Sequence, residues 1–234
     1  MAGEMRVTVS ENGPYIVEGD VPLSRESIVT DRRGESTAWR VDLEFEPLDT
    51  YSLCRCGYSG TKPFCDGSHK RVGFDGTETA TRAAYLEQAA QQDGPRLVLT
   101  DAMSLCAYAR FCDVGGQIWN LIEMDNPGAT ELARKEAAAC PSGRLVVWDR
   151  ESGVPIEPEF EPSISIVSDP GQGVAGPIWV KGGIPIFSAD DTPYEVRNRV
   201  TLCRCGASKN KPFCDASHAA IGFIDEHDPN EGAA

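Results

Sequence analysis

Short runs in which apolar and polar residues alternate recur along the first and last thirds of the chain. The runs RVTV, YIV and WRVDLEF lie in the first third, and SISIV, IWV and RVTL lie in the last. Alternation of this kind, with β-branched and aromatic residues between Gly and Pro, is typical of β-strands. We therefore expect both ends of the chain to be rich in β-structure.

The middle third has a different pattern. Residues 78–94 are rich in Ala, Glu and Gln and end at Gly94 before Pro95, which predicts a helix. RLVLT at 96–100 and RLVVW at 144–148 predict two strands that flank loops and a helix at TELARKEAAA, and the Pro- and Glu-rich residues 151–163 predict a linker. We expect an α+β fold that is mostly β, with units at 1–77, 78–158 and 159–234.

The two ends of the chain are copies of one unit. From Leu53 and Leu202 onward every matched position is offset by 149 residues, including VGF at 72–74 and IGF at 221–223. Upstream, GPYIVEGDVPL at 13–23 matches GPIWVKGGIPI at 176–186 at an offset of 163, so the first copy carries 14 extra residues. We place the extra residues in the polar stretch SRESIVTDRRGES.

Composition narrows the classes of function. A net charge of −14 argues against nucleic acid as the principal partner, because phosphate binding depends on clustered Lys and Arg. The N-terminal residues contain no apolar signal region, and nowhere do about 18 apolar residues run together. These features predict a cytoplasmic protein that does not span a membrane.

Cysteine and histidine are distributed unevenly. Of three histidines, His69 and His218 each close a cysteine-rich stretch, and His227 lies in an acidic tail. Nine cysteines in a chain with no export signal point to metal ligation rather than disulfides. The cysteines fall into three groups of three, which are Cys54, Cys56 and Cys65, then Cys106, Cys112 and Cys140, then Cys203, Cys205 and Cys214.

The repeated stretches CRCGYSGTKPFCDGSH and CRCGASKNKPFCDASH have the spacing of a metal site. C-x-C places two thiolates close together, and a cysteine four residues before a histidine puts both on one helical face, with Asp66 or Asp215 expected to cap that helix. A structural zinc ion accepts three cysteines and a histidine. The same ligands would also suit a two-iron cluster, with two thiolates on one iron and a thiolate plus an imidazole on the other.

These residues resemble the CDGSH iron–sulfur domain, whose pattern C-x-C-x2-S-x3-P-x-C-D-G-S-H is matched at every position by residues 54–69. The second copy departs from the pattern at Ala216, where the family has Gly; we expect this change to be small, because a first-turn helical position accepts Ala. The resemblance implies a β-rich cap and a [2Fe–2S] cluster in each copy. The implied ligands are Cys54, Cys56, Cys65 and His69 in the first copy and Cys203, Cys205, Cys214 and His218 in the second.

Family members pair two such units from two chains. The duplication therefore predicts an intramolecular pseudo-dimer in a monomeric protein. Three thiolates make the site less negative than an all-cysteine site, and an imidazole ligand raises the reduction potential, as it does in Rieske centres. Because histidine titrates near neutrality, we also expect acid-labile clusters whose potential falls as the pH rises.

The middle third carries a weaker motif, LCAYARFC followed by CPSG. It resembles the divergent single-cluster [4Fe–4S] ferredoxin domain, whose pattern is C-x-H-x3-C followed by C-P-S-G-A-L, and which implies Cys106, Cys112 and Cys140 as ligands. Tyr108 stands at the histidine position and Arg144 at the alanine position, so a fourth ligand is missing. The alternatives are a [3Fe–4S] cluster, a [4Fe–4S] cluster completed by a carboxylate or water, or no cluster.

The amino-acid sequence contains no nucleophile–base pair, phosphate-binding loop or paired carboxylates at convincing spacing. We therefore expect no enzymatic activity. The leading hypothesis is electron transfer with a redox partner protein of unknown identity. Cluster storage or transfer to an apo-acceptor, and redox or pH sensing, are the alternatives.

Overall fold

The computed structural model describes residues 4–225. Within this range the strands form three sheets, and helices are short except for one in the middle module. The α+β, mostly β class predicted from the sequence is confirmed.

The first sheet combines strands from both copies. Three antiparallel strands come from the first copy, namely β1 (Arg6–Val9), β2 (Tyr15–Glu18) and β5 (Thr50–Leu53). The fourth strand, β12 (Ile186–Phe187), comes from the second copy and pairs in parallel with β1, with Val7 opposite Ile186.

The second sheet shows the reciprocal exchange. Its second-copy strands are β10 (Ser163–Asp169), β11 (Val174–Lys181) and β13 (Arg199–Leu202). Strand β3 (Leu23–Thr30) of the first copy pairs in parallel with β10, and β4 (Ser36–Glu44) pairs with β3. The first copy therefore contributes the β3–β4 hairpin to the sheet of the second copy, and the second copy contributes β12 to the sheet of the first, which forms the predicted pseudo-dimer within one chain.

One hydrophobic core lies between these two sheets. Val7, Val17 and Leu53 of the first sheet pack with Ile164 and Ile178 of the second, and all are almost completely buried. Burial of apolar side chains contributes about 1.5–3 kcal/mol for each large residue. The shared core makes each copy dependent on the other.

The 14 extra residues of the first copy lie where the sequence placed them, in the β3–β4 hairpin. β3 is buried despite its polar composition, because its charges find partners in the second copy. The Glu26 carboxylate accepts hydrogen bonds from the Lys181 ammonium at 2.5 Å and the Ser165 hydroxyl at 2.6 Å. A buried ion pair needs such additional hydrogen bonds to offset desolvation.

The middle module is a four-stranded antiparallel sheet covered by helices. Its strands are β6 (Ala90–Asp93), β7 (Leu97–Asp101), β8 (Leu145–Asp149) and β9 (Pro155–Ile156). Its helices are α2 (Tyr85–Gln88), α3 (Ile118–Ile122) and α4 (Pro127–Ala139), with 3₁₀ turns at Met103–Leu105 and Phe111–Asp113. Asn126 caps α4 by accepting a hydrogen bond from the Ala129 amide at 2.9 Å, as N-cap residues do.

The predicted helix at 78–94 is wrong outside Tyr85–Gln88. Residues Ala90–Asp93 instead form β6, an edge strand that pairs with β7. Gly94, whose amide donates to the Leu97 carbonyl at 2.9 Å, closes the hairpin between them. Backbone pairing with β7 overrides the helix propensity of the Ala- and Gln-rich segment, as tertiary contacts often do. The 151–163 linker likewise contains β9, while the unit boundaries themselves stay predictions.

A small helix begins at the end of each repeated motif, and the helix of the second copy packs against β11. The two helices are α1 (Ser68–Arg71) and α5 (Ser217–Ala220), and a further 3₁₀ turn lies at Pro170–Gln172. Between residues 4 and 225, none of the helices has the length and apolar character needed to cross a bilayer.

Candidate metal centres

The first repeated motif forms two pairs of donor atoms. Cys54 follows β5 directly, and the Sγ atoms of Cys54 and Cys56 are 3.8 Å apart. Cys65 precedes α1 and His69 lies within it, with 3.4 Å between Cys65 Sγ and His69 Nδ1.

The second motif repeats this geometry. The Sγ atoms of Cys203 and Cys205 are 3.7 Å apart, and Cys214 Sγ lies 3.4 Å from His218 Nδ1. Cys203 follows β13 as Cys54 follows β5. The duplication in sequence is therefore a duplication of donor geometry.

In each motif the donor atoms form two pairs. Across residues 4–225, no three side chains of His, Cys, Asp or Glu converge closely enough to hold a single metal ion. Each motif thus groups its donors as one thiol–thiol pair and one thiol–imidazole pair.

One thiol of each pair is favoured as a thiolate. The Cys56 thiol donates to Cys54 and, with nearby backbone amides, lowers the pKa of Cys54, while the hydrogen bond to Cys54, followed by burial, raises the pKa of Cys56. Cys205 lowers the pKa of Cys203 in the same way. Backbone amides also point at sulfur, with 3.4 Å from the Gly67 nitrogen to Cys65 Sγ.

Asp66 does not cap α1 as the sequence predicted. The N-cap residue is Gly67, with φ of 86°, and Asp66 stands one residue earlier. There its carboxylate accepts hydrogen bonds from the Ser68 amide at 2.9 Å and the Gly60 amide at 2.8 Å, which lower the pKa of Asp66. Asp66 thus ties the start of the helix to the preceding loop.

Ala216 is also a larger departure than the sequence suggested. It is the N-cap of α5 with φ of 71°, the left-handed conformation that Gly67 adopts in the first copy. A Cβ atom in this region costs roughly 1–2 kcal/mol, so Ala216 is strained and not a comfortable first-turn residue.

The two cluster loops meet backbone to backbone. Cys56 and Cys205 form an isolated antiparallel bridge, and glycine is required on both sides of it. A Cβ atom on Gly57 would lie 2.7 Å from the Cys205 carbonyl oxygen, and one on Gly206 would lie 2.5 Å from that of Cys56. No side chain fits between the two motifs.

An arginine between the two cysteines of each C-x-C is buried. Arg204 donates to the Asp225 carboxylate at 2.6 Å and to the Gly176 carbonyl at 2.8 Å. Arg55 donates to the Gly76 carbonyl at 2.6 Å, and no carboxylate between residues 4 and 225 forms an ion pair with it. Both copies thus bury an arginine at the same position of the motif, with a carboxylate partner in the second copy and carbonyl partners in the first.

Tyr15 is a residue whose role the sequence did not signal. Its buried hydroxyl lies 2.8 Å from the Cys203 carbonyl oxygen and 3.0 Å from that of Pro212, so β2 of the first copy fixes the cluster loop of the second. The matched residue of the second copy is Ile178, which has no hydroxyl.

The two sites differ in exposure. Cys65 and His69 are half-buried, whereas Cys214 is buried and His218 is only 4% exposed. Helix α5 packs against the start of β11, where the Ala175 amide donates to the Phe223 carbonyl at 2.7 Å. Burial, together with the Arg204 charge, lowers the pKa of His218 to about 4.

The middle module brings its three predicted cysteines to one place. Cys106, Cys112 and Cys140 line the same cavity, whose walls are the loop 106–112 and the segment after α4. Burial, with Asp113 and the other two cysteines nearby, raises the pKa of Cys112 to about 12. The cavity also contains Tyr108 and Arg144, the two residues at which the sequence departs from the ferredoxin pattern. His227 lies outside the described residues.

The middle module docks on the second copy. Asn210 of the second motif donates to the Ser104 carbonyl at 3.0 Å, and the Thr79 amide donates to the Lys211 carbonyl at 2.8 Å. The Arg199 guanidinium donates to the Cys140 carbonyl at 2.7 Å. The cysteine cavity and the second site are therefore neighbours joined by hydrogen bonds.

Thiol and imidazole donors grouped in this way, together with the two family models that match the chain, support an iron–sulfur protein. Two regions, residues 12–70 and 175–219, match the family model described as iron-binding zinc finger CDGSH type, and residues 92–150 match the model described as divergent 4Fe-4S mono-cluster. The two CDGSH-type regions and the divergent 4Fe–4S region predicted from the sequence are confirmed. No match to the chain was found among curated proteins or among solved structures.

Proposed function

We propose that the protein transfers electrons through iron–sulfur clusters and is not an enzyme. Each CDGSH-type region would hold one [2Fe–2S] cluster through three cysteines and one histidine, and the middle module would hold a third cluster through Cys106, Cys112 and Cys140.

The observation that carries this proposal is the pairing of donor atoms in both motifs. A thiol–thiol pair at 3.8 Å and a thiol–imidazole pair at 3.4 Å, repeated at 3.7 and 3.4 Å, provide two ligands for each of two irons. Bound there, the cluster supplies one-electron redox chemistry. The chain supplies a histidine ligand that raises the reduction potential and backbone amides that donate to sulfur.

The fixed contact between the two motifs supports electron transfer over a purely structural role. The bridge between Cys56 and Cys205 places ligand-bearing loops in direct backbone contact, and the middle module is hydrogen-bonded to the second motif. A rigid protein frame around redox centres limits reorganisation when charge changes, as preorganised sites do. The redox partner protein is of unknown identity, and we propose a monomer in which the two copies replace the two chains of a dimer.

The test is anaerobic, iron-replete purification followed by visible absorption spectroscopy, iron and sulfide analysis, and reductive titration followed by EPR. We expect a coloured protein that is reduced and reoxidised reversibly. A colourless protein that contains only zinc would overturn the proposal. The double variant Cys54→Ser, Cys203→Ser is the matched control, and it should lose the two-iron signals and keep those of the middle module.

Cluster transfer is a second candidate, favoured by the exposure of the first site. Because Cys65 and His69 are half-buried while Cys214 and His218 are buried, an acceptor protein reaches the first site more easily. Mixing the coloured protein with an apo-ferredoxin separates the two functions. Rapid transfer of colour supports delivery, and fast reversible reduction without transfer supports electron transfer.

A further inference from the structure

The three cysteines of the middle module share their cavity with a fixed positive charge. Arg144 is buried, and its guanidinium donates to both carboxylate oxygens of Asp101, at 2.6 and 2.8 Å. Arginine keeps its charge in proteins. Asp101 neutralises the pair as a whole but does not line the cavity, so the positive end of the pair faces the sulfur donors.

Arg144 is held from several sides. Its carbonyl oxygen accepts hydrogen bonds from the Ala102 amide at 3.0 Å and the Tyr85 hydroxyl at 2.9 Å. Trp119 donates to the Asp101 carboxylate at 3.2 Å, and the Trp119 ring lies 5.5 Å from the guanidinium carbon. The side chain cannot leave the cavity without breaking this network.

The cavity offers three donors for a cluster and no fourth of the usual kind. Its lining contains three cysteines but no histidine and no carboxylate, as far as the described residues extend. A guanidinium has no lone pair with which to bind iron. The Asp101 carboxylate is engaged by Arg144, and the Tyr108 side chain is 43% exposed at the edge of the cavity.

Charge favours the smaller cluster. With three thiolates, an oxidised three-iron cluster carries one more negative charge than a four-iron cluster in its usual oxidised state. The positive end of the Arg144–Asp101 ion pair faces the cavity, where it favours the more negative of the two clusters and opposes entry of a ferrous ion.

We propose that this cavity holds a [3Fe–4S] cluster and that Arg144 keeps a fourth iron out. The inference rests on the proposed function, since it assumes that the three cysteines bind iron and sulfide. It assigns a cluster different from the four-iron type of the family model that residues 92–150 match.

EPR spectroscopy of the intact protein, oxidised after anaerobic purification, tests the cluster type. An oxidised three-iron cluster has an unpaired spin, whereas oxidised two-iron and four-iron clusters are silent, so the two CDGSH-type regions do not interfere. We expect a signal of about one spin per chain, as a single three-iron centre of this class would give. Cys112→Ser should abolish that signal and lower the iron content.

The role of Arg144 is tested by a challenge with ferrous iron, dithionite and dithiothreitol, followed by reoxidation. One electron from dithionite and one ferrous ion convert a three-iron into a four-iron cluster, and the added thiol provides the fourth ligand. The wild-type protein should keep its EPR signal through this treatment, and Arg144→Ala should lose it. Arg144→Lys, which retains the charge, and Tyr108→Phe should behave as wild type.

The outcomes separate the two proposals. If the wild-type spectrum is silent but Cys112→Ser contains less iron than the wild type, the three-iron assignment alone is overturned. Loss of the wild-type signal in the challenge overturns the role of Arg144. Equal iron content in the wild-type protein and in Cys112→Ser overturns the third cluster in the proposed function. Retention of the signal by Arg144→Ala also overturns the role of Arg144. If Arg144→Ala does not fold, Arg144→Gln, which removes the charge and keeps most of the side chain, takes its place with the same two outcomes.

Discussion

Glu136 is a buried acid whose neutralisation should change how the stability of the protein depends on pH. It lies on α4, is 3% exposed, and neither carboxylate oxygen has a hydrogen-bond partner in the described part of the chain. Burial, with a smaller effect of the nearby Asp113 charge, raises the pKa of Glu136 from 4.5 to about 8. At neutral pH the folded protein therefore keeps this acid protonated, while the unfolded chain ionises it.

The sign and size of the effect follow from this difference in pKa. Because the folded-state pKa is above the unfolded value, the titration of Glu136 does not lower the free energy of unfolding below pH 4.5. Above that pH the free energy of unfolding falls as the pH rises toward about 8. At pH 7 the two pKa values correspond to a loss of about 3 kcal/mol, taken as an upper figure. Glu136→Gln removes the titration and should remove the pH dependence with it.

The assay is urea unfolding of the cluster-loaded wild-type and Glu136→Gln proteins across this pH range. The difference in unfolding free energy between the two should change by about 2–3 kcal/mol between mildly acidic and mildly alkaline pH, in favour of the variant at the alkaline end. Effects of pH on the clusters are common to both proteins and cancel. Glu131→Gln, an exposed residue on the same helix that pairs with Lys135, is the matched control and should shift by less than about 0.5 kcal/mol. Parallel curves for wild type and Glu136→Gln would refute the reasoning.

Three further predictions concern the repeated sites. Replacing His69 and His218 by Cys adds a thiolate to each cluster and should lower both reduction potentials by on the order of 100–300 mV. The variant should also flatten the pH dependence of the potentials, which potentiometry at several pH values measures. An unchanged slope in the double variant would contradict the ligand assignment. Ala216→Gly should relieve the left-handed strain at φ of 71° and stabilise the protein by roughly 0.5–1 kcal/mol. Gly67→Ala in the first copy should destabilise the protein by a similar amount. Thermal unfolding measures the sign of both changes, and shifts of both variants in the same direction would rule out the strain. Tyr15→Phe removes the hydroxyl that donates to the Cys203 carbonyl and lies near that of Pro212, and it should cost about 1–2 kcal/mol in chemical unfolding. The second site should also lose its cluster faster to an iron chelator, and loss from the first site alone would contradict the contact.

Much of the candidate site could be predicted from the sequence because metal ligation depends on residue type and short spacing. C-x-C and C-x3-H fix donor pairs within a few residues, and the structure brings those pairs to 3.8 and 3.4 Å in the first copy. The strands were predicted for a similar reason, since alternation with period two is a local property. The helix predicted at 78–94 failed because β7 offered a pairing edge that the local sequence does not reveal.

The sequence by itself determined that this protein has two copies of one ligand-bearing unit and a third group of cysteines, because chemistry and repetition are written in residue order. Only the tertiary structure decided that β3 and β12 exchange sheets, that Tyr15 of one copy supports the loop of the other, and that Arg144 stands among three thiols. Those relations join residues far apart in the chain, and they arise from burial of one shared core and from pairing of buried charges, which no local pattern encodes.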